Sequence, residues 1–265
     1  MKLATIMVDR PREHVAVVTY AKEPVNTVAA EDHLEIARVF RELPADRDVR
    51  AIIFTAAGDR AFMSGADLEA KHDEAQRLAA IGPQYQLDPA LVAREAFDAV
   101  AKCAVPVIGA INGAAVGGGV GYAACCDVLL AVESAFFAMG EINVGLLGAT
   151  SHLRRLVGSF EARRMYFTGV RVPAAELARS GAVHRVLPSR DEMMSAALDL
   201  GTEIAAKSPI AVRLAKEVFV RMEVEPMLES YRWEQGFTAR LQLTEDSAEA
   251  MSAFLEKRKP EWKWR

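Results

Sequence analysis

The stretch Val105-Pro-Val-Ile-Gly-Ala-Ile-Asn-Gly-Ala-Ala-Val-Gly-Gly-Gly-Val-Gly-Tyr122 decides how this chain folds, together with Cys126-Asp127 and the run Met139-Gly-Glu-Ile142 that follows it. No charged residue occurs between Ala104 and Cys126, and glycine stands at 109, 113, 117, 118, 119 and 121. Three structures accommodate such a composition. A membrane span fits the length and the small-xxx-small spacing of Gly109, Gly113, Gly117 and Gly121. Against it stand Pro106, the Asn112-Gly113 turn signal and three consecutive glycines, each about 1 kcal/mol worse than alanine in a helix. A dinucleotide fold fits Gly119, Gly121 and Ala124 to G-x-G-x-x-A, with Glu141 in the place of a ribose-binding acid, but residues 112–116 intervene where the glycines should follow the strand directly. The third structure is a buried strand from Val105 to Ile111, a tight turn at Asn112-Gly113, and a helix opening on Gly117-Gly118-Gly119. Free N–H groups at such a helix start, with the positive end of its dipole, suit an oxyanion. The same small residues also serve plain close packing of helix on strand.

Outward from this stretch, 265 residues at 51% hydrophobic content suffice for one large core plus an appended helical region. A net charge of -4 offers no basic excess for a phosphate backbone, which makes nucleic acid a poor partner. Cys103, Cys125 and Cys126 have neither disulfide nor metal spacing and read as buried thiols in a reducing compartment; no metal site is expected. Charge follows within a few residues of the N-terminus, so no signal-peptide core is expected, and the location expected is cytoplasmic, with no membrane partner.

Thr5 to Asp9 and Val15 to Tyr20 read as strands joined by a hairpin at Arg10-Pro11-Arg12-Glu13. After Asn26-Thr27, a helix cap in this reading, Ala30, Leu34, Ala37 and Phe40 follow helical spacing up to Pro44. Ala51 to Ala56 is a buried strand. Ala61 to Leu68 follows it, with the small residues that line a crevice at a strand exit. Residues 71 to 88 read as a surface segment of uncertain order, and Pro89 to Lys102 as a helix. Short strands at Val128 to Val132 and Ala135 to Ala138 lead to Glu141. From Thr150 the chain is mostly helical, ending in a helix from Asp246 to Lys257 that carries Ala248, Met251, Phe254 and Leu255 on one side.

Taken in order, these pieces resemble the crotonase (enoyl-CoA hydratase/isomerase) superfamily. The residues that carry the resemblance are Ala61-Phe-Met-Ser-Gly-Ala-Asp-Leu68, Pro106 to Gly113, Gly117-Gly118-Gly119, Cys126-Asp127, Gly140-Glu141-Ile142 with Gly145, Arg155-Leu156, and Phe254 to Pro260. The resemblance implies an α/β fold, a spiral core of repeated ββα turns over residues 1–200, and a helical oligomerisation region over 201–265 that builds a homotrimer or a dimer of trimers. It implies an acyl-CoA thioester substrate, coenzyme A entering only as part of that substrate, and no other cofactor. It places the thioester carbonyl on the N–H groups of Ala66 and Gly118, with Glu141 as the catalytic carboxylate. It also implies a substrate-binding set of Lys22, Val25, Ser64, Asp67, Leu68, Gly117, Gly121, Gly140 and Ala149.

Two departures bear on the reaction. Hydratases of the family carry a glutamate two residues beyond the triple glycine, where this chain has Gly121, so the division of labour between two carboxylates fails. A single carboxylate is enough for a 1,3-proton shuttle, as in the family's isomerases, while some aromatic acyl-CoA hydratase-lyases also keep only the second glutamate. After Gly145 the chain has Gly148-Ala149-Thr150-Ser151-His152 in place of a Pro-Gly-rich turn, and His152 is a candidate second acid or base. His14, His33, His72 and His184 receive no role. Asp67 reads as an acid at a helix start. Lys22, Arg60, Lys257 and Lys259 are candidates for the CoA phosphates. The competing functions are a non-catalytic acyl-CoA-binding scaffold and a dinucleotide oxidoreductase.

Overall fold

β-branched residues and short apolar runs alternate with amphipathic segments along the first half of the chain, and the computed structural model turns that alternation into repeated ββα units. It describes residues 4–67, 70, 74–144, 148–223, 240 and 243–265. Leu68, His72 and Gly145, and the side chains of Phe254 and Leu255, lie outside the described residues. The first unit is β1 (Ile6–Arg12), β2 (Val15–Tyr20) and α1 (Ala30–Glu42). The second is β3 (Ala51–Ala56) and β4 (Ala61–Met63), followed by α2 (Glu74–Ile81), α3 (Pro83–Leu87) and α4 (Ala90–Ala101). The third is β5 (Val107–Ile111), β6 (Ala114–Val116) and α5 (Gly118–Cys125). The fourth is β7 (Val128–Val132) and β8 (Phe136–Ala138), leading through a short 3-10 turn, Glu141–Val144, to α6 (Thr150–Val157) and α7 (Ser159–Thr168). There follow β9 (Val172–Pro173), α8 (Ala174–Arg179), β10 (Arg185–Leu187), α9 (Arg190–Ala205), α10 (Pro209–Met222) and α11 (Glu245–Glu256).

Among the described residues these strands form two sheets. One has the order β1-β2-β3-β5-β7-β10, parallel except for the β1–β2 hairpin; the other has the order β4-β6-β8-β9, parallel except at β9. In the second, third and fourth units the first strand enters the large sheet and the second enters the small one. β3 and β5 are buried along their whole length, which is why they read as continuous apolar runs rather than alternating ones. Phe54 of β3 packs its ring against Phe40, Phe62 and Tyr122 at centroid separations of 4.9, 5.4 and 6.0 Å. Truncating such a buried ring costs about 3–5 kcal/mol, so this contact ties both sheets to α1 and α5.

Several boundaries differ from the sequence expectation, each for a physical reason. β1 continues through Arg10-Pro11-Arg12, and the turn is Glu13-His14, with His14 at φ 62°. Pro11 is tolerated because β1 is an edge strand. Asn26 does not cap α1. The helix start is held by Asp32, whose carboxylate accepts the Ala29 N–H at 2.8 Å. Asn112-Gly113 does not lead straight into the helix but into β6, and a Cβ on Gly113 would lie 2.6 Å from the Arg60 carbonyl. Residues 74–87 form α2 and α3. The boundary read at 200/201 falls inside α9, whose Met193, Ala197 and Ala205 belong to the main core, and a Cβ on Gly201 would stand 3.1 Å from Val15. Cys103, Cys125 and Cys126 are free and buried.

Candidate active site

Two buried asparagines hold the loop that begins the site. Asn26 Nδ2 donates to the carbonyls of Ala57 and Ala61 at 3.0 and 2.8 Å, and its Oδ1 accepts the Lys22 N–H at 2.9 Å. Asn112 Nδ2 donates to the Gly58 carbonyl at 2.8 Å. Buried amides with this many partners fix the chain between β3 and β4 from both sides, because each lost bond would leave a polar group unpaired in the core. The consequence is a defined path for Met63-Ser64-Gly65-Ala66.

Ala66 then pairs with Val28 as an isolated parallel bridge, in which the Val28 N–H bonds the Gly65 carbonyl at 2.9 Å and the Asp67 N–H bonds the Val28 carbonyl at 3.0 Å. In a parallel bridge the central residue's own N–H points away from the partner strand. Ala66 is that residue, and among the described residues its N–H has no acceptor. Gly118 is the first residue of α5, so its N–H is free of the helix ladder, and it too has no acceptor among the described residues. The two segments meet. A methyl group on Gly65 would stand 3.2 Å from the Val116 carbonyl and 3.9 Å from the Gly118 nitrogen. Gly119 is required for this approach, since a Cβ there would fall 2.1 Å from the Met63 carbonyl oxygen. At the far end of α5, Arg155 donates to the carbonyls of Ala124 and Cys126, so that helix end is closed by a cation while its N-terminus stays open.

Glu141 reaches the same place from the fourth unit. A Cβ on Gly117, which has φ +55°, would lie 2.2 Å from Glu141 Oε1, so the carboxylate rests on the α-carbon next to Gly118. Its Oε2 is buried without a hydrogen-bond partner. Burial pushes this carboxyl above the ordinary glutamate range, partly offset by a backbone hydrogen bond.

A cavity of about 480 Å³ opens beside Ala66, lined also by Asp67, Ala149 and His152, by Val28, Ala30 and His33 from α1 and its approach, and by Val92, Ala93 and Phe97 of α4. Gly65, Gly118 and Glu141 are not among the residues on its wall. Of the other candidates, Gly117 and Gly121 are buried under the site, while Val25, Ser64 and Gly140 do not line the cavity. The Lys22 ammonium pairs with Asp32 at 2.9 Å and Asp67 at 3.1 Å. Asp67 accepts the Ala70 N–H at 3.0 Å, the role of an acid at a helix start.

Gly121 has a positive explanation. A Cβ there would lie 2.8 Å from Phe97 Cζ and 3.4 Å from the Ala149 methyl, so an aromatic ring and a methyl group fill the space in front of it. Phe97 touches His152 at a centroid distance of 4.8 Å, and burial together with nearby Arg155 lowers the His152 pKa. His33 is the residue sequence reasoning missed. It lines the cavity, packs against Tyr122 and Phe97, and shares a 2.5 Å hydrogen bond between Nδ1 and the Tyr122 hydroxyl. Nothing local marks it, because a histidine at an ordinary helix position looks like any surface polar residue.

Main-chain donors without acceptors among the described residues, on two segments in contact beside a half-buried carboxylate, define a class of site suited to negative charge developing on a carbonyl oxygen. The enoyl-CoA hydratase/isomerase family model matches residues 10–265. A (7aS)-7a-methyl-1,5-dioxo-2,3,5,6,7,7a-hexahydro-1H-indene-carboxyl-CoA hydrolase of Mycobacterium tuberculosis is 39% identical over 247 residues, 93% of this chain and 97% of that protein. A short-chain-enoyl-CoA hydratase of Clostridium acetobutylicum is 32% identical over 98% of both chains. The crystal structure of an enoyl-CoA hydratase from Bacillus anthracis superposes with a TM-score of 0.88 at 30% identity, covering 98% of this chain and 100% of that one. The chain belongs to the enoyl-CoA hydratase/isomerase family, and it has the crotonase fold of an acyl-CoA-processing enzyme.

Proposed function

We propose that the N–H groups of Ala66 and Gly118 hold the thioester carbonyl of an acyl-CoA, and that Glu141 moves the proton on the adjacent carbon. What supports this is that both donors lack acceptors among the described residues, on segments in contact with each other, next to a carboxyl oxygen that is buried and unpartnered. Removing a proton next to a thioester places a full charge on oxygen, and one preorganised donor of this kind is worth roughly 3–4 kcal/mol in the transition state. A carboxyl held above its usual range passes protons in both directions more readily. The reaction moves protons only and calls for no metal or redox group.

Migration of a double bond is the outcome this geometry supports over addition of water. With Phe97 and Ala149 in front of Gly121, no carboxylate stands at that position to activate water. The identity to the mycobacterial hydrolase supports a second reading, hydrolysis of a keto-substituted acyl-CoA. Incubation with 3-enoyl-CoA and 2-enoyl-CoA, following bond migration against water uptake, separates the two outcomes. Glu141→Gln is expected to lower exchange of the α-proton with deuterium oxide by about 10²–10⁴-fold while CoA-ester binding persists; unchanged exchange would exclude Glu141 as the base.

Assembly as a trimer or dimer of trimers belongs to the same proposal. Phe160, Phe167 and Phe219 are 87%, 74% and 67% exposed in the single chain, more aromatic surface than a monomer usually leaves in water. Light scattering in solution tests it.

A further inference from the structure

One polar pair on the cavity wall has no part in the thioester chemistry. The Tyr122 hydroxyl is buried, and among the described residues its partner is His33 Nδ1. A buried O–H needs an acceptor, so the tyrosine donates and Nδ1 accepts. The ring proton of neutral His33 then sits on Nε2. Nε2 has no hydrogen-bond partner among the described residues and is not one of the sealed, unpartnered buried atoms, while His33 itself lines the cavity. It is therefore reached from the cavity side.

We infer that the acyl group accepted by this site carries a second carbonyl, and that His33 Nε2–H donates to its oxygen. The inference rests on the acyl-CoA reading above and names the substrate class for it. The wall combines apolar residues such as Val28, Val92 and Phe97 with charged and polar ones such as Glu31, Arg77 and Ser151, and His33 Nε2–H has no partner among them, so it stays unsatisfied by the protein until a ligand supplies an acceptor. A ketone is a pure acceptor and matches a pure donor. Burial lowers the His33 pKa to about 4, which keeps the ring neutral at physiological pH. The volume of about 480 Å³ lies within the range of pockets that enclose ring-sized groups. The mycobacterial relative is named for a dioxo acyl group, an acceptor-bearing ligand of this kind.

Calorimetry on the full chain with cyclohexanecarboxyl-CoA, 3-oxocyclohexanecarboxyl-CoA and 4-oxocyclohexanecarboxyl-CoA tests the inference. The wild type is expected to bind at least one ketone roughly three- to tenfold more tightly than the hydrocarbon ester, and His33→Leu to bring that ratio to about one. A wild type that does not distinguish the esters, a preference that survives His33→Leu, or one removed by His152→Leu instead would overturn it. Should His33→Leu fail to fold, two-bond proton–nitrogen spectra of the wild-type imidazole give an independent answer. They are expected to show an Nε2–H tautomer whose shift moves with the ketone and not with the hydrocarbon ester; an Nδ1–H tautomer overturns the inference. Binding of none of the three esters by the folded chain would sink the acyl-CoA reading as well, whereas a failed Glu141→Gln exchange test would leave the His33 ratio standing.

Discussion

The segments around Met63–Ala66 and Gly117–Gly119 meet through main chain, whereas His33, Phe97, Tyr122 and His152 meet through side chains drawn from α1, α4, α5 and α6. In the first region the geometry is fixed by close backbone contacts: 2.1 Å from a Gly119 Cβ to the Met63 carbonyl, too close for any side chain, and a tight 3.2 Å from a Gly65 Cβ to that of Val116. In the second it is fixed by ring packing at centroid separations of 4.7 to 6.0 Å. Backbone can present an N–H but cannot vary it. Rings can be exchanged one at a time, so in the function proposed above the first region sets the kind of chemistry and the second selects the acyl group.

The sharpest way to break this contrast is Gly119→Ala. Its methyl would displace β4 from the start of α5, and a shift of about 1 Å in such a site costs on the order of a hundredfold in kcat/KM, with roughly 1–3 kcal/mol of stability lost to overpacking. Exchange kinetics and thermal melts read both effects; near-normal activity would mean the two donors need no such approach. Gly117→Ala is expected to cost nearly as much activity but less stability. Its Cβ meets the end of the Glu141 side chain, which can swing away, while φ +55° adds about 1–2 kcal/mol of backbone strain.

On the other side, Gly121→Glu alone is expected to destabilise the chain without producing hydration, because Phe97 stands 2.8 Å from the first added carbon. Adding Phe97→Ala should recover part of that loss, with a coupling of about 0.5–3 kcal/mol in a double-mutant cycle of melting data. Additive effects would show that Phe97 does not occupy the missing carboxylate's place.

The smallest effects concern pH. Glu141 holds its proton more tightly in the native state than in the unfolded chain, so its ionised form opposes folding at neutral pH. Glu141→Gln should therefore raise the melting temperature slightly at pH 7. The gain should vanish below the ordinary glutamate range, where the carboxyl is protonated in both states. Wild-type turnover should fall as acid protonates the base. His33 has the opposite sign: its pKa drops from 6.5 to about 4 on folding, so its contribution is intact above pH 6.5 and is lost as pH falls toward 4. His33→Leu should flatten that part of the stability profile.

Much of the first region was legible in the sequence. Glycine where a Cβ cannot fit leaves a mark, and so does a strand with no polar residue, because both are local demands on residue type. The Ala51–Ala56 and Val107–Ile111 strands and the helix start at Gly118 follow directly. β6 was hidden because three small residues carry no period, and Asn26 looked like a cap because its side-chain bonds run to residues 57 and 61, out of reach of any local pattern.

By itself, the sequence determined the fold, since this depends on which residues tolerate burial and close approach at each position, while the choice of Ala66 and Gly118 as donors came with the family resemblance. Only the tertiary structure decided that Glu141 rests on Gly117, that Phe97 fills the space before Gly121, and that the Tyr122 hydroxyl meets His33 Nδ1. Each is a meeting of side chains from distant elements, governed by shape and by the need of buried polar groups for partners, and residue spacing along the chain carries no record of either.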